Sequence, residues 1–249
     1  MDITCVADLH GHYPELEGGD LLIIAGDLTK RDEPYEYIKF LSWLHKQEYK
    51  RYIVIAGNHD NIIQNEKIFG DNLAKTDYLE DSGTEFEYQI ANLPEENEGF
   101  LPSGKRTLKI WGSPWTKTFP RMNPHCKAFT FDTDEELEER WKLIPNDIDI
   151  LITHSPPYGF LDEVDSQEHC TSYHVGSRGL LKRVCEIRPQ LHVFGHIHEG
   201  YGEDIVRDWK RLKIEESGIT QDIKDVAFIN ASHVNEYYEP VNKPIRVIL

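Results

Sequence analysis

Short apolar runs rich in β-branched residues, each closing on polar residues, alternate along the chain with stretches whose apolar positions recur at helical spacing. Residues 3–7, 21–25, 52–56, 86–90, 107–111, 148–153, 191–194, 226–230 and 245–248 read as strands. Within 33–47, Tyr37, Ile38, Leu41 and Leu44 mark one buried helix face, and 133–143 and 177–188 also read as helices. This alternation predicts a layered α/β domain. No repeat, low-complexity tract or Pro/Gly-rich linker interrupts it, so 1–249 reads as a single domain. Two polar segments break the order. Residues 94–105 mix acids with Gly and Pro as a surface loop does, and the densely charged stretch 204–225 reads as a projecting hairpin or excursion.

Composition narrows the classes of partner. The 249 residues are 39% hydrophobic and 11% aromatic, enough for a proper core and far from a disordered or miniprotein composition. The formal charge of −17 repels polyanions, which disfavours tracking along nucleic acid or resting on anionic lipid. The apolar runs fall well short of the ~20 residues a spanning helix needs. The start lacks the basic segment and apolar core of an export signal. Cys5, Cys126, Cys170 and Cys185 show no metal-knuckle or disulfide-framework spacing, and buried or idle thiols in a reducing cytoplasm are the reading.

Candidate chemistry lies where the strands end. Asp8-Leu9-His10-Gly11 follows the first strand, Gly26-Asp27 the second and Gly57-Asn58-His59-Asp60 the third; His154 and Gly195-His196-Ile197-His198 follow two later ones. In α/β sheets that edge binds ligands. The donors are carboxylate, imidazole and amide without thiolate, a set suited to hard or borderline divalent ions such as Mn, Fe or Zn. Asp8 and His10, like His196 and His198, stand two apart, and on extended backbone both members of such a pair face one side. Each element alone has an ordinary reading as a turn, a cap or a polar strand end. Five in one order, each at a strand end, point to a metal centre.

This ordered set resembles the calcineurin-like metallophosphoesterase superfamily, whose pattern is D-x-H, G-D, G-N-H-(D/E), H and G-H-x-H. The segments "LLIIAGDLT", "YIVIAGNHD", "GSPWT", "WKLIPNDIDILITHSPPYGFLD", "RPQLHVFGHIHEGYG" and "INAS" are similar to the branch of metallophosphoesterase-domain-containing proteins, related to class III cyclic nucleotide phosphodiesterases. The resemblance implies a four-layer α/β sandwich, two mixed β-sheets flanked by helices, with the metal site at the C-terminal strand edge. It implies two divalent metal ions, Mn being favoured for activity. Asp8, His10, Asp27 and His198 would hold one, and Asp27, Asn58, His154 and His196 the other, with Asp27 bridging. Such a pair clamps a phosphoryl group and acidifies a shared water into a hydroxide nucleophile. His59 is the candidate acid for the leaving alkoxide, Asp60 its candidate orienting partner, and Asn58 a candidate phosphate contact through its NH₂.

The substrate side is read more coarsely. Trp115 is the first choice for a flat wall against a base, with Tyr158 and Phe160 next, and each competes with simple core packing. Arg178 and His174 could meet a phosphate at a helix start, or serve only that helix and loop. His12 stands near the first motif or on a solvated loop, and His233 supports the site or packs. Pro156 and Pro157 stiffen the loop behind His154. The segment 117–132 does not match the branch convincingly. The expected activity is hydrolysis of phosphodiesters, with cyclic or other small nucleotides as leading substrates; the alternatives are a phosphomonoesterase or protein phosphatase, or a nucleotide- or partner-binding fold with little turnover. Two divalent ions set against Asp8, Asp27 and a hydroxide leave about +1 at the site, which admits a small anion that the acidic exterior would otherwise oppose.

Overall fold

The computed structural model describes residues 1–65, 75–90, 104–118, 123–165, 172–207, 210–214, 219–223 and 225–249. The first third of the chain runs β1 (Asp2–Val6), β2 (Gly19–Ala25), α1 (Pro34–Leu44), β3 (Tyr49–Ile55), α2 (Asn61–Asn65) and β4 (Thr76–Tyr78). The middle runs β5 (Ser82–Ile90), β6 (Gly104–Ser113), β7 (Thr116–Lys117), β8 (Thr130–Phe131), α3 (Asp134–Trp141), β9 (Ile150–Thr153), β10 (Glu163–Asp165) and β11 (Ser172–His174). Then follow α4 (Arg178–Ile187), β12 (Leu191–Phe194), β13 (Gly202–Val206), β14 (Lys210–Ile214), β15 (Ile219–Ile223), β16 (Val226–Asn230) and β17 (Ile245–Ile248).

Two mixed sheets carry the structure, in the orders β17-β1-β2-β3-β4 and β13-β16-β12-β9-β6-β5. β1, β2, β3 and β4 pair in parallel, as do β16, β12, β9 and β6, and antiparallel β17, β13 and β5 form every edge but that of β4. Side-chain alternation explains the layering. Ile3, Cys5, Leu21, Ile23, Ile53 and Ile55 share a core with Ile150, Ile152, Leu191, Val193 and Ile229 of the other sheet. The intervening positions Leu22, Ile24 and Val54 instead join Tyr37, Phe40 and Leu44 of α1, while Leu151, Phe194 and Phe228 join Trp141, Leu180, Leu181 and Val184 of α3 and α4. Strands with apolar residues on both faces therefore yield helix, sheet, sheet, helix, the four-layer sandwich that the family resemblance implies.

Local signals account for the helices. Glu33 and Glu36 form a capping box ahead of α1 with Pro34 at its first turn, and Thr133 with Glu136 does the same for α3. Ser177 caps α4 through the Leu180 N–H and also accepts from Trp141 Nε1, which ties α3 to α4. On α1 the buried apolar positions are Tyr37, Phe40 and Leu44; Ile38, placed on the buried face by its spacing, is 68% exposed. The charged stretch 204–225 contains the expected hairpin but does not project along its whole length. Its beginning lies in β13, an edge strand paired to β16, while β14 and β15 form an antiparallel hairpin whose Ile223 is buried. Residues 94–103 of the expected surface loop, and Cys170, lie outside the described residues, and Gly104 and Lys105 begin β6. Among the described residues no helix is long and apolar enough to cross a membrane.

Ile23 is fully buried between the sheets. Ile23→Ala should lower unfolding free energy in urea by about 2–5 kcal/mol, whereas Ile248→Ala, at a position 80% exposed, should change it by less than about 0.5 kcal/mol.

Candidate metal centre

All the predicted donors lie along the C-terminal edge of the parallel strands, at the joint between the sheets. Asp8 N–H donates to the Gly26 carbonyl (3.0 Å) and His10 N–H to the Asp27 carbonyl (3.0 Å), which locks the turns after β1 and β2 together. Across the joint, Ala7 N–H donates to Ala231 O and His233 N–H to Ala7 O, each at 2.8 Å. Close approach requires glycine here. A Cβ at Gly57 would stand 2.2 Å from Asp27 Oδ1, and one at Gly195 would stand 2.3 Å from Asp8 Oδ2.

The backbone brings the pairs together differently from the extended geometry expected. Asp8, His10, Asp27 and His196 have φ of 49°, 42°, 52° and 69°, the left-handed region that L-residues avoid at a cost of about 1–3 kcal/mol each. Four such residues in one cluster show strain concentrated where the donors converge. Asp8 and His10 meet because of these turns, and His196 and His198 diverge: His198 joins Asp8 and His10, while the His196 ring lies 4.9 Å from that of His154.

The donor atoms are arranged as for cations. Asp8, His10 and His198 offer ligand atoms within 4.8 Å of one another, as do Asp8, Asp27 and His154, and also His10, Asp27 and His59. Asp8 Oδ2 accepts from the Ser232 hydroxyl (2.5 Å) and the His196 N–H (2.9 Å), but buried Oδ1 has no hydrogen-bond partner. His198 commits Nδ1 to the Asn235 carbonyl (3.1 Å), which leaves Nε2 as a lone pair 3.8 Å from Asp8 Oδ1. His154 likewise commits Nδ1 to the Ala25 carbonyl (3.0 Å), so its Nε2 faces Asn58 Oδ1 at 3.0 Å and Asp27 Oδ1 at 3.4 Å. Asn58 cannot relieve this by flipping, because its NH₂ donates to Cys126 O. Facing acceptors require either a proton on His154 or a cation between them. The fit to divalent ions rests on these orphaned and opposed lone pairs.

The charges agree. Against the cost of burial, His154, His59 and His10 hold Asp27 well below the usual carboxylate range. Burial depresses His154, but the Asp27 carboxylate outweighs it and lifts the imidazole to about 9. Burial lowers His196 to about 3 and pushes His10 well below its ordinary value, so both rings stay neutral and able to ligate.

Three expected roles change. Asp60 does not orient the His59 ring: its fully buried carboxylate accepts from the N–H groups of Leu28 (3.1 Å) and Gly57 (2.9 Å), clamping the turns after β2 and β3. Burial and nearby Asp27 raise it to about 8. The partner of the His59 ring is Cys126, with Sγ 3.4 Å from Nδ1, while Nε2 lies 3.9 Å from Asp27 Oδ2. Trp115 is no substrate wall. It is 8% exposed, donates to Asp81 Oδ2 (2.7 Å) and stacks on Phe131 at 4.7 Å, with the Arg140 guanidinium against both rings. Arg178 lies over the Tyr158 ring at 4.8 Å and is not among the residues lining the cavity described below.

The remaining candidates have these partners. Phe160 stacks on Phe228 in the core. His174 pairs with buried Asp162 (2.6 Å), and His233 donates Nδ1–H to the Asn242 carbonyl (2.8 Å). His12 is half-buried, its backbone N–H bonded to Leu9 O.

A cavity of about 500 Å³ opens beside Asp27, Asn58, His59, His196 and His198. Its walls include Tyr238, whose ring lies edge-on to those of His10 (4.8 Å) and His198 (5.3 Å) and whose φ is +63°. Neither Cys126 nor Tyr238 follows a strand in a donor-rich motif, so the rule that finds the other site residues passes over both. Ser232, in "INAS", lay inside a motif matched for its family resemblance, but its hydrogen bond to Asp8 needs tertiary structure to appear.

A four-layer α/β sandwich with carboxylate and imidazole donors clustered at its parallel-strand edge is the setting of a metal centre. The calcineurin-like phosphoesterase family model matches residues 1–200, and the chain belongs to that family. It is 36% identical over 262 aligned residues to human metallophosphoesterase domain-containing protein 1, spanning 99% of this chain and 70% of that protein. A Caenorhabditis elegans UPF0046 protein is 31% identical over 98% of this chain and 74% of its own length. A solved crystal structure shares the fold, with a TM-score of 0.55 and 13% identity over 92% of this chain and 89% of its own. The family implies divalent metal ions.

Two outcomes are expected. Gly57→Ala should weaken divalent-ion binding at least about tenfold in chelator competition, because its Cβ displaces the Asp27 carboxylate, while far-UV circular dichroism stays native. Since binding must displace the proton that Asp27 holds on His154, metal affinity should fall as pH drops below about 9, by about tenfold per pH unit for one proton released. A pH-independent affinity, measured by titration with Mn, would contradict this.

Proposed function

We propose that the protein is a phosphodiesterase that hydrolyses cyclic or other small nucleotides. The observation that carries this reading is the charge of the cavity: among the described residues that line it Lys117 is the lone Lys or Arg, and it is paired with Asp134 at 2.7 Å. A monoester dianion or a polyphosphate calls for further cationic contacts, whereas a diester carries one negative charge. In this reading Asp8, His10, Asp27 and His198 hold one divalent ion and Asp27, Asn58, His154 and His196 the other. The two oxygens of Asp27 support it, Oδ2 lying 3.6 Å from His10 Nε2 and Oδ1 3.4 Å from His154 Nε2. When bound, such ions supply charge for the phosphoryl oxygens and acidify water. His59 lines the cavity and is assigned to protonate the leaving oxygen, and Asn58, which also lines it, to contact a phosphoryl oxygen. Asp60 is assigned to fixing the two turns that carry Asp27 and Asn58.

We further infer that 1–249 works as one domain, since β17 near the C-terminus pairs with β1 beside Asp8. We assign it to the cytoplasm, a reading supported by the buried free thiols of Cys5 and Cys126.

Bis-p-nitrophenyl phosphate should be turned over by Mn-loaded protein and lost on chelation. Asp27→Ala should abolish turnover, and His59→Ala should reduce kcat by at least about 100-fold. Among 2′,3′- and 3′,5′-cyclic nucleotides and phosphomonoesters, the cyclic diesters should give the higher kcat/KM; a strong preference for monoesters would overturn the assignment.

A further inference from the structure

The cavity beside the donors has a wall that no part of the phosphoryl chemistry uses. β10 and β11 form a two-stranded ribbon in which Val164 is opposite Tyr173, and Val175 follows two residues on, so the three share one face. All three line the cavity, and Tyr173 and Val175 are 54% and 40% exposed. The other face holds Glu163 opposite His174. His174 Nδ1 meets Asp162 Oδ1 at 2.6 Å, the Asp162 carboxylate accepts from the N–H groups of Gly159 and Gly176, and the Asp162 carbonyl accepts from Val175 N–H. Asp162 is fully buried, so the ribbon is anchored from behind while its apolar face stays open.

The geometry points to the Val164, Tyr173 and Val175 face as the subsite for a flat, uncharged ester substituent of the substrate, an aryl ring or a nucleobase. The inference rests on the phosphoesterase reading of the adjoining donors. Three features carry it. The same cavity contains His59, His196 and His198, so a phosphoryl group among the donors extends its substituent along this wall. Its volume of about 500 Å³ is of the size that holds a small organic ligand. Its charged lining opposes a second anion, because Lys117 is tied to Asp134 and Glu199 and Glu236 are acidic. Tyr173 thus takes the place expected of Trp115: it offers an open ring on the cavity, where Trp115 is already stacked and hydrogen-bonded.

The test compares diesters sharing one leaving group on Mn-loaded full-length protein. Tyr173→Ala should raise KM for bis-p-nitrophenyl phosphate about tenfold relative to KM for methyl p-nitrophenyl phosphate, with kcat for both within about twofold. Tyr173→Phe should restore the preference, and Tyr35→Ala, similarly exposed on α1, should not alter it. An equal change for both esters, or none, overturns the subsite. A second arm measures phenyl phosphate against methyl phosphate by calorimetry. If the wild type turns over neither diester, the phosphodiesterase reading fails, and this arm alone decides the subsite: tighter phenyl phosphate binding that Tyr173→Ala removes supports it, and equal affinities or an unchanged preference overturn it.

Discussion

The buried carboxylate of Asp27 is the constraint on which the site is built. It is almost wholly removed from water, yet stays ionised because His10, His59 and His154 surround it. A charge so placed must be paired and hydrogen-bonded or it would neutralise itself. One oxygen accepts from the His59 N–H, and the two together face imidazoles from opposite sheets. The absence of a side chain at Gly57 and the left-handed turn at Asp27 itself are the local conditions that let the carboxylate sit there.

A second buried carboxylate does complementary work. Asp60 accepts from the turn after β2 and from Gly57 after β3, and so holds Asp27 and Asn58 in register. Ser232 and Asn230 act similarly from the other sheet: the serine hydroxyl, bonded to Asp8 Oδ2, also lies 2.7 Å from Asn230 Oδ1. With Asp8 Oδ2 so occupied, Oδ1 alone is left for a cation. These groups act through the geometry of the donors, and their burial makes that geometry stiff.

The outer part of the cavity follows different physics. It is walled by β10 and β11 on one side and Tyr238 on another, and it carries little positive charge. The acidic exterior and this lining act in the same direction, disfavouring long or multiply charged anions, while the clustered imidazoles and opposed lone pairs create one local point where a cation, and through it a single phosphoryl group, is welcome.

The layering and the donor set were legible in the amino-acid sequence because both follow from local rules. Strand alternation buries both faces of β2 and β3, and ligands gather where parallel strands end, so Asp8, Asp27, Asn58, His154 and His196 stood out by position, and the family resemblance supplied their roles as ligands. Ile38 escaped the helical rule because Phe40 fills the face it was expected to occupy. What tertiary structure alone decided were the partners: Asp60 turning to Leu28 and Gly57 instead of His59, Cys126 arriving at the His59 ring, Trp115 spent on Asp81, and Tyr173 opening onto the cavity. Those outcomes depend on which segments meet across the sheet joint and on how each buried polar atom is satisfied there. Such pairings are non-local, and a chain read residue by residue carries the donors without the contacts that choose among them.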